Sequence, residues 1–454
     1  MKKILIICTA AVVMTSCGIY KPYTRPEMKT NGLYGTAQTA DTTTIGNIAW
    51  REMFTDPNLQ ALIEQGLENN TDLLSAQWRV KEAEATLKTA RLSFLPSFNF
   101  APQGAVSRFD DYKATWSYNV PITASWELDI FSRLRNSKRR AKALYAQSKE
   151  YEQAVKTQII AGIANMYYTL LTLDSQYTVS KQTASKWRES VETMRSMKQA
   201  GMTNEAAVSQ TAANCFAIEA SLCDLEYQIR EVENSLASLL GDVPHTIERG
   251  TLAGQVMPET LLVGVPMQLL TNRPDVRSAE LALTQAFYAT AEARSALYPS
   301  IKLSGSAGWT NSAGGMIVNP GKLLLSAAAS LVQPIFNAGA NRARVKISKA
   351  QQEETKLSFQ QTLLNAGAEV NNALAQCQTA RAKTTLRTQQ ITSLETAVES
   401  TQLLMRHGSS TYLEVLTAQQ SLLSAQLSQI SDRFSEIQGV INLYHALGGG
   451  RDVE

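Results

Sequence analysis

Few of the side chains able to do chemistry in this chain of 454 residues are arranged to do it. The three histidines, His245, His407 and His445, stand singly, and none joins a Ser/His/Asp set or a His-Glu-x-x-His pattern. Gly448-Gly449-Gly450 lies at the end of the sequence instead of opening a helix, which disqualifies it as a phosphate loop. Of the five cysteines, Cys8 and Cys17 fall in the N-terminal segment, and Cys215, Cys223 and Cys377 have no metal-ligand spacing. Cys215 and Cys223 are too far apart to bridge within one helix, so all three read as small packing residues. No catalytic group, cofactor or metal is implied, and the chain reads as a non-enzyme. One carboxylate stands out by position: Glu414 follows a glycine-bearing segment and opens a helical pattern, where the local dipole favours a negative charge.

Charged residues are 18% of the chain and the net charge is +3, against a usual charged share of about 25%, so nothing recommends a nucleic-acid partner. After Val13 no apolar run approaches the ~20 residues that a membrane helix needs, so any crossing must use strands. Lys2-Lys3, the run Ile4 to Val13 and the small residues before Cys17 make a secretory signal of residues 1–16. Cys17 in that setting is similar to the lipobox of bacterial lipoproteins, which implies a lipidated Cys17 and, with Gly18 after it, transfer to the outer membrane. Met14 is unusual in such a box, and ordinary cleavage near Ser16 is the alternative. Residues 17–53, rich in Pro, Thr and Gly, read as a tether.

The remainder is written twice. Ala90-Arg91 with Leu95-Pro96-Ser97 recurs as Ala293-Arg294 with Tyr298-Pro299-Ser300, 203 residues on. Ile130-Phe131 recurs as Ile335-Phe336 after 205, and Gly201 with Val208 as Gly408 with Val415 after 207. Leu240-Gly241 recurs as Leu447-Gly448, also after 207. Four anchors in one order mark an internal duplication, with repeats at 54–248 and 266–450, a linker at 249–265 and a tail at 451–454.

No proline occurs between Pro121 and Pro244 or after Pro334, so each repeat ends in a long tract free of the strongest helix breaker. Ile159, Ile163, Met166, Leu170, Leu173 and Tyr177 step by four and three, as do Leu416, Gln420, Leu423, Leu427, Ile430, Phe434, Ile437, Ile441 and Tyr444. These are coiled-coil seams. Ala200-Gly201-Met202-Thr203-Asn204 and His407-Gly408-Ser409-Ser410-Thr411 place a glycine after each long helix and a capping residue before the next. Each repeat is thus a helical hairpin, and Asp129 to Ala200 alone reaches roughly 105 Å at ~1.5 Å per residue.

Ahead of each hairpin lie alternating segments. Tyr118, Val120, Ile122, Ala124, Trp126 and Leu128 alternate with polar residues and Pro121, and Ile301, Leu303, Gly305, Ala307 and Trp309 alternate likewise. Phe98 and Phe100 open a weaker partner, and Leu325, Ala327, Ala329 and Leu331 form a fourth strand. Each is about the length of a tilted membrane strand, with one face for lipid and one for water. Four strands cannot close alone, and an open edge in lipid costs several kcal/mol per unpaired group. Two copies would give eight strands and a filled barrel, three would give twelve and a lumen. The small inward residues Ser304, Ser306 and Gly308 favour three.

The whole resembles the TolC/OprM outer-membrane factor family, in particular its lipoprotein branch serving drug-efflux pumps. The likeness spans about Phe54 to Gly450 and is carried by Trp126-Glu127-Leu128-Asp129-Ile130-Phe131, Asn272-Arg273-Pro274-Asp275-Val276, Pro334-Ile335-Phe336, Tyr412-Leu413-Glu414-Val415-Leu416 and Ala446-Leu447-Gly448-Gly449-Gly450. The resemblance implies a mixed α and transmembrane β fold, a homotrimeric twelve-stranded barrel in the outer-membrane lipid continued by a periplasmic α-helical barrel. It implies receipt of small molecules from an inner-membrane RND-type transporter through a periplasmic adaptor protein. It assigns the adaptor-contacting tip to Gly201, Met202, Thr203 and Asn204 and to Gly408, Ser409, Ser410 and Thr411, and the pore gate to Glu414 and Thr417. Thr417 stands where a second acidic residue is expected, and Ala207 is the counterpart of Glu414 in the first repeat. A conduit for type I protein secretion, or a lipid-anchored coiled-coil spacer with no pore, are the other readings open to the sequence; the strand pairs argue against a spacer.

Overall fold

The computed structural model describes residues 22–27, 32–33, 44–258, 261, 263–264, 268–313, 316–407 and 411–451. Its principal elements, in order, are α1 (Pro57–Asn69), α2 (Thr71–Leu92), β1 (Ser97–Phe100), β2 (Gln103–Ser107), β3 (Thr115–Leu128), α3 (Arg133–Gln199), α4 (Glu205–Leu240), α5 (Pro274–Ser295), β4 (Ser300–Ala313), β5 (Met316–Val332), α6 (Ala340–Arg406) and α7 (Tyr412–Ala446). The two 67-residue helices, α3 and α6, occupy the proline-free tracts. Contacts divide the chain into a strand-bearing unit, including 78–150 and 278–361, and a helical unit, including 29–77, 151–277 and 362–454.

In the strand-bearing unit the sheet is antiparallel throughout, ordered β1 and β2 beside β3, then β4, then β5. The weak first strand is two strands on one register, Phe100 opposite Ile122 and Gln103 opposite Asn119. Pro102, which has no N–H to give the ladder, sits at the break. Pro121 occupies the middle of β3, an unusual place for proline. It lies opposite Gly308, where a Cβ would stand 2.3 Å from the Val120 carbonyl oxygen and 2.5 Å from the Pro121 Cα. Only glycine lets the two strands approach that closely. α3 then starts from a fixed point, since the Asp129 carboxylate accepts hydrogen bonds from the Leu134 and Arg135 N–H groups at 2.8 and 3.0 Å.

In the helical unit the seam positions Ile159, Ile163, Leu170 and Leu173 are buried, as are Leu416, Ile437, Ile441 and Tyr444. Gln420 is exposed, so the second seam is interrupted there. Phe54, Leu59 and Ile63 pack into the same apolar interior, each burial contributing about 1.5–3 kcal/mol. Tyr167 donates to the Asp56 carboxylate at 2.6 Å and Tyr444 to the Ile48 carbonyl at 2.8 Å, so these two buried phenols are satisfied. The Arg249 guanidinium joins Asp174 and Glu233 at 2.6 and 2.5 Å, and buried Arg273 holds Asp275 and Glu369 at 2.6 and 2.7 Å.

The duplication has a structural signature. Gly241, left-handed at φ 74°, ends α4 against the Asn69 carbonyl, and Gly448, at φ 82°, follows α7 against the Asn272 carbonyl. Cys215 and Cys377 are buried, and burial pushes the Cys377 thiol up to about 11, consistent with packing roles. Cys223 is exposed and departs from that expectation, because its position on α4 faces away from the hairpin core.

Replacing Gly308 by valine forces β3 and β4 apart and should destabilise the assembled protein by roughly 1–3 kcal/mol. The check is the temperature at which the oligomer dissociates in a detergent gel; an unchanged temperature contradicts the close approach.

Candidate functional site

A conduit needs a face for lipid and an end that opens. At the first helical turn, Gly201, left-handed at φ 73°, donates its N–H to the Lys198 carbonyl at 3.0 Å, and Met202 donates to the Met197 carbonyl at 2.9 Å. This is a Schellman closure of α3. Asn204 then caps α4, its side chain accepting the Ala207 N–H at 3.0 Å. The Lys198 ammonium reaches across the turn to the Glu205 carboxylate and holds it below the usual carboxylate range. Met202 is left exposed at the turn. The expected residues Gly201, Met202, Thr203 and Asn204 therefore form one compact turn with its own ion pair. That pair was not legible in the sequence, since it depends on the turn folding Glu205 back onto Lys198.

At the second turn α6 ends at Arg406 and α7 begins at Tyr412. Gly408, Ser409 and Ser410 lie outside the described residues, as does Cys17. Thr411 is the N-cap of α7, and its hydroxyl donates to the Glu414 carboxylate at 3.2 Å while the Glu414 N–H donates to the Thr411 carbonyl at 3.1 Å. Glu414 is thus an exposed carboxylate in the first turn of a helix, located by its cap. Thr417 is exposed too, with its hydroxyl donated to the Leu413 carbonyl at 2.9 Å. It carries no charge.

Behind these turns Trp187, Val191, Cys215 and Leu416 form a buried cluster, with Tyr412 packed against it. Burial pushes the Tyr412 phenol up.

In the strand-bearing unit every strand presents apolar residues to one side. Phe100, Ile122, Ala307 and Leu325 form one row across the sheet, Val106, Trp116 and Tyr118 continue that face, and Val120, Trp309 and Leu323 form the next row. The opposite face carries Asn99, Thr123, Ser306 and Ser326 in one row, with Ser306 and Ser326 hydroxyls 2.7 Å apart. Ser304 and Gly308 share that polar face. No helix among the described residues is long and apolar enough to cross a membrane.

Comparison with known proteins is decisive here: the family model described as "Outer membrane efflux protein" matches residues 62–242 and 265–449. The chain belongs to that family. It is 28% identical to the cation efflux system protein CusC of Escherichia coli O6:H1 over 99% of this chain and 98% of that protein. It is 26% identical to the probable outer membrane lipoprotein SilC of Salmonella typhimurium, over 99% and 98%. Among solved structures, one of CusC superposes with a TM-score of 0.87 at 26% identity, covering 96% of this chain and all of that one. The open-state MtrE channel of Neisseria gonorrhoeae gives 0.86 at 26%, covering 96% and 98%. The fold is that of a protomer of a trimeric outer-membrane channel, a transmembrane β domain continued by a periplasmic helical barrel. The family is one of efflux channels, not of enzymes.

Asn204→Ala removes the α4 cap and should cost about 1 kcal/mol locally. Amide exchange over residues 201–208 should quicken about fivefold, read by mass spectrometry, with the Trp187 region unchanged. Acidification should loosen the same turn, because Glu205, ionised below its usual 4.5, loses its Lys198 partner only as pH falls through that lowered value.

Proposed function

We propose that three copies of this chain form the exit duct of a tripartite efflux system, taking small molecules from an inner-membrane RND-type transporter through a periplasmic adaptor and releasing them outside. The observation that carries this reading is the sheet: apolar on one face across all its strands, mainly polar on the other apart from Leu324, Ala328 and Val332 of β5, with β5 and the β1–β2 edge unpaired among the described residues. A non-conducting spacer has no use for such a sheet, and a monomer could not keep it in lipid. Efflux rather than protein secretion is favoured because relatives at 27–29% identity are named for cation, toluene, antibiotic and solvent efflux alike. A duct shared by such different cargoes leaves selection to the pump.

The tip is assigned by sequence position. The α3–α4 turn, Gly201 to Asn204, and the segment Gly408 to Thr411 meet the adaptor, and Glu414 from each copy lines the constriction. Three carboxylates near one axis repel each other and attract cations, which favours opening. Thr417 widens the ring without charge. Cys17 carries the lipid anchor, a reading favoured by the relative SilC, which is named a lipoprotein.

Deleting the gene should sensitise the cell to a panel of dyes, detergents and antibiotics, and unaltered sensitivity to all of them contradicts the reading. Glu414→Ala should lower the cation preference of single channels in planar bilayers; identical traces return Glu414 to a helix cap. Gly408→Trp should abolish export while the trimer still assembles, and normal export would remove the turn from adaptor docking.

A further inference from the structure

We infer that the exposed cations below the strands, Lys138, Arg139 and Lys142 on α3 and Arg342, Lys346 and Lys349 on α6, form a collar that binds the phosphate groups of anionic phospholipids in the periplasmic leaflet of the outer membrane. The inference rests on the outer-membrane channel reading and on a lipid at Cys17, and it names what the outward faces of these helices meet.

Positive charge is concentrated at this level. Residues 85–95, 127–149, 290–300 and 332–352 lead into and out of the strands at their helical ends. They hold fourteen lysines and arginines against three carboxylates, in a chain whose net charge is only +3. The three carboxylates are already matched, Glu127 with Arg133 at 2.7 Å, Asp129 with Arg135 at 3.5 Å and Glu292 with Arg140 at 3.2 Å. The six cations of the collar are exposed, and none of them pairs with a carboxylate among the described residues.

The strands fix which way these side chains point. Glu127 and Lys302 stand opposite each other on the polar face of the sheet, and Glu127 holds Arg133 to that side. At about 100° per residue, Arg133, Ser137 and Arg140 share one side of α3, while Lys138, Arg139 and Lys142 share the opposite one. The contacts agree. The Lys138 ammonium lies 5.8 Å from the Phe94 ring centroid, and the Phe94 carbonyl accepts the indole N–H of Trp126, a residue of the apolar face, at 2.9 Å. Helix α6 repeats the stripe. From their first residues α3 and α6 run in step, 207 apart, so Arg342, Lys346 and Lys349 occupy the places of Arg135, Arg139 and Lys142.

Two observations set the height of the bilayer surface. Aromatic rings gather at the strand bases, as in the girdle of a membrane barrel at headgroup level: Trp126, Phe94 and the stacked pair Phe131 and Tyr298, centroids 5.0 Å apart. The chain also arrives here from its anchor. Tyr23 packs edge-on against Phe287 at 5.7 Å and Arg25 grips Glu280 at 2.6 Å. Pro22 is five residues from Cys17, a reach of at most about 18 Å. Tyr288, next to Phe287, has the Arg139 guanidinium 5.8 Å from its ring centroid. A lipid on Cys17 therefore enters the bilayer beside the collar. All six cations lie within about 14 Å of their helix starts, whereas headgroups occupy roughly 5–8 Å and charges are felt over about 8 Å more at physiological salt. Anionic phosphates are within their range.

The test is native mass spectrometry of the full-length protein in detergent, titrated with phosphatidylglycerol or with phosphatidylcholine of the same acyl chains. The trimer should take up the anionic lipid about fivefold more readily. That preference should fall severalfold as ammonium acetate rises from about 0.1 to 1 M and the Debye length shrinks from about 10 to 3 Å. Lys138→Gln, Arg139→Gln, Lys142→Gln, Arg342→Gln, Lys346→Gln and Lys349→Gln together should bring the ratio below about 1.5. Lys181→Gln with Lys186→Gln and Arg230→Gln, which remove exposed cations of the helical unit, should leave it unchanged. Equal uptake of the two lipids by the unsubstituted trimer, a preference indifferent to salt, or its loss in the helical-unit control overturns the collar and leaves the channel reading standing. A monomeric mass for the unsubstituted protein overturns that reading instead. If the sixfold variant does not assemble, the salt series on the unsubstituted protein decides. A sixfold variant that stays trimeric and keeps the lipid preference but loses export hands these cations to a protein partner and overturns the proposal.

Discussion

A peptide group facing hydrocarbon has no water to bond, and leaving it unpaired costs several kcal/mol. Everything in the strand-bearing unit answers to that constraint. β3 and β4 satisfy both their edges inside the chain, and even Pro121, which lacks an N–H, is accommodated because Gly308 lets the neighbouring backbone close on it. β5 and the β1–β2 strand satisfy one edge each. A sheet so divided belongs to a closed ring made of copies, and the polar rows Thr123–Ser306–Ser326 and Ser125–Ser304 then line water.

The helical unit answers to a different requirement, that long helices keep a fixed register where each hairpin begins and ends. Each repeat locks its hairpin base in the same way, a left-handed glycine after the last helix set against an asparagine carbonyl, Gly241 on Asn69 and Gly448 on Asn272. Toward the tips the repeats diverge. The first turn is closed by a Schellman motif and a lysine–glutamate pair, while the second repeat starts α7 with an exposed Glu414 held by Thr411 and seats Tyr412 against the body of the first hairpin. Duplication supplies the scaffold, and divergence at a few residues leaves an ion-paired turn after α3 and an exposed Glu414 in the first turn of α7.

Much of this was legible before any coordinates. The long helices follow from missing prolines, their ends from Gly201 and Asn204, and the strands from strict alternation, because each rule is local. The breaks in the pattern were less legible, and each has a non-local cause. Pro102 divides the first strand without changing its register, since the ladder resumes on the same partner. Gln420 sits at a seam position yet is exposed, and Cys223 is exposed although its helix is packed elsewhere. The packing of Tyr412 on the cluster of Trp187, Val191 and Cys215 and the Lys198–Glu205 pair depend on which helices meet in space, which periodicity within one helix does not encode.

The central claim is that the chain makes a water-filled passage only as an assembly of identical copies. Purified full-length protein reconstituted into liposomes tests it most directly, with leak of small hydrophilic solutes followed against native mass in the same preparation. The account predicts solute release from vesicles holding a species three times the protomer mass. Sealed vesicles, or a conducting monomer, would contradict it.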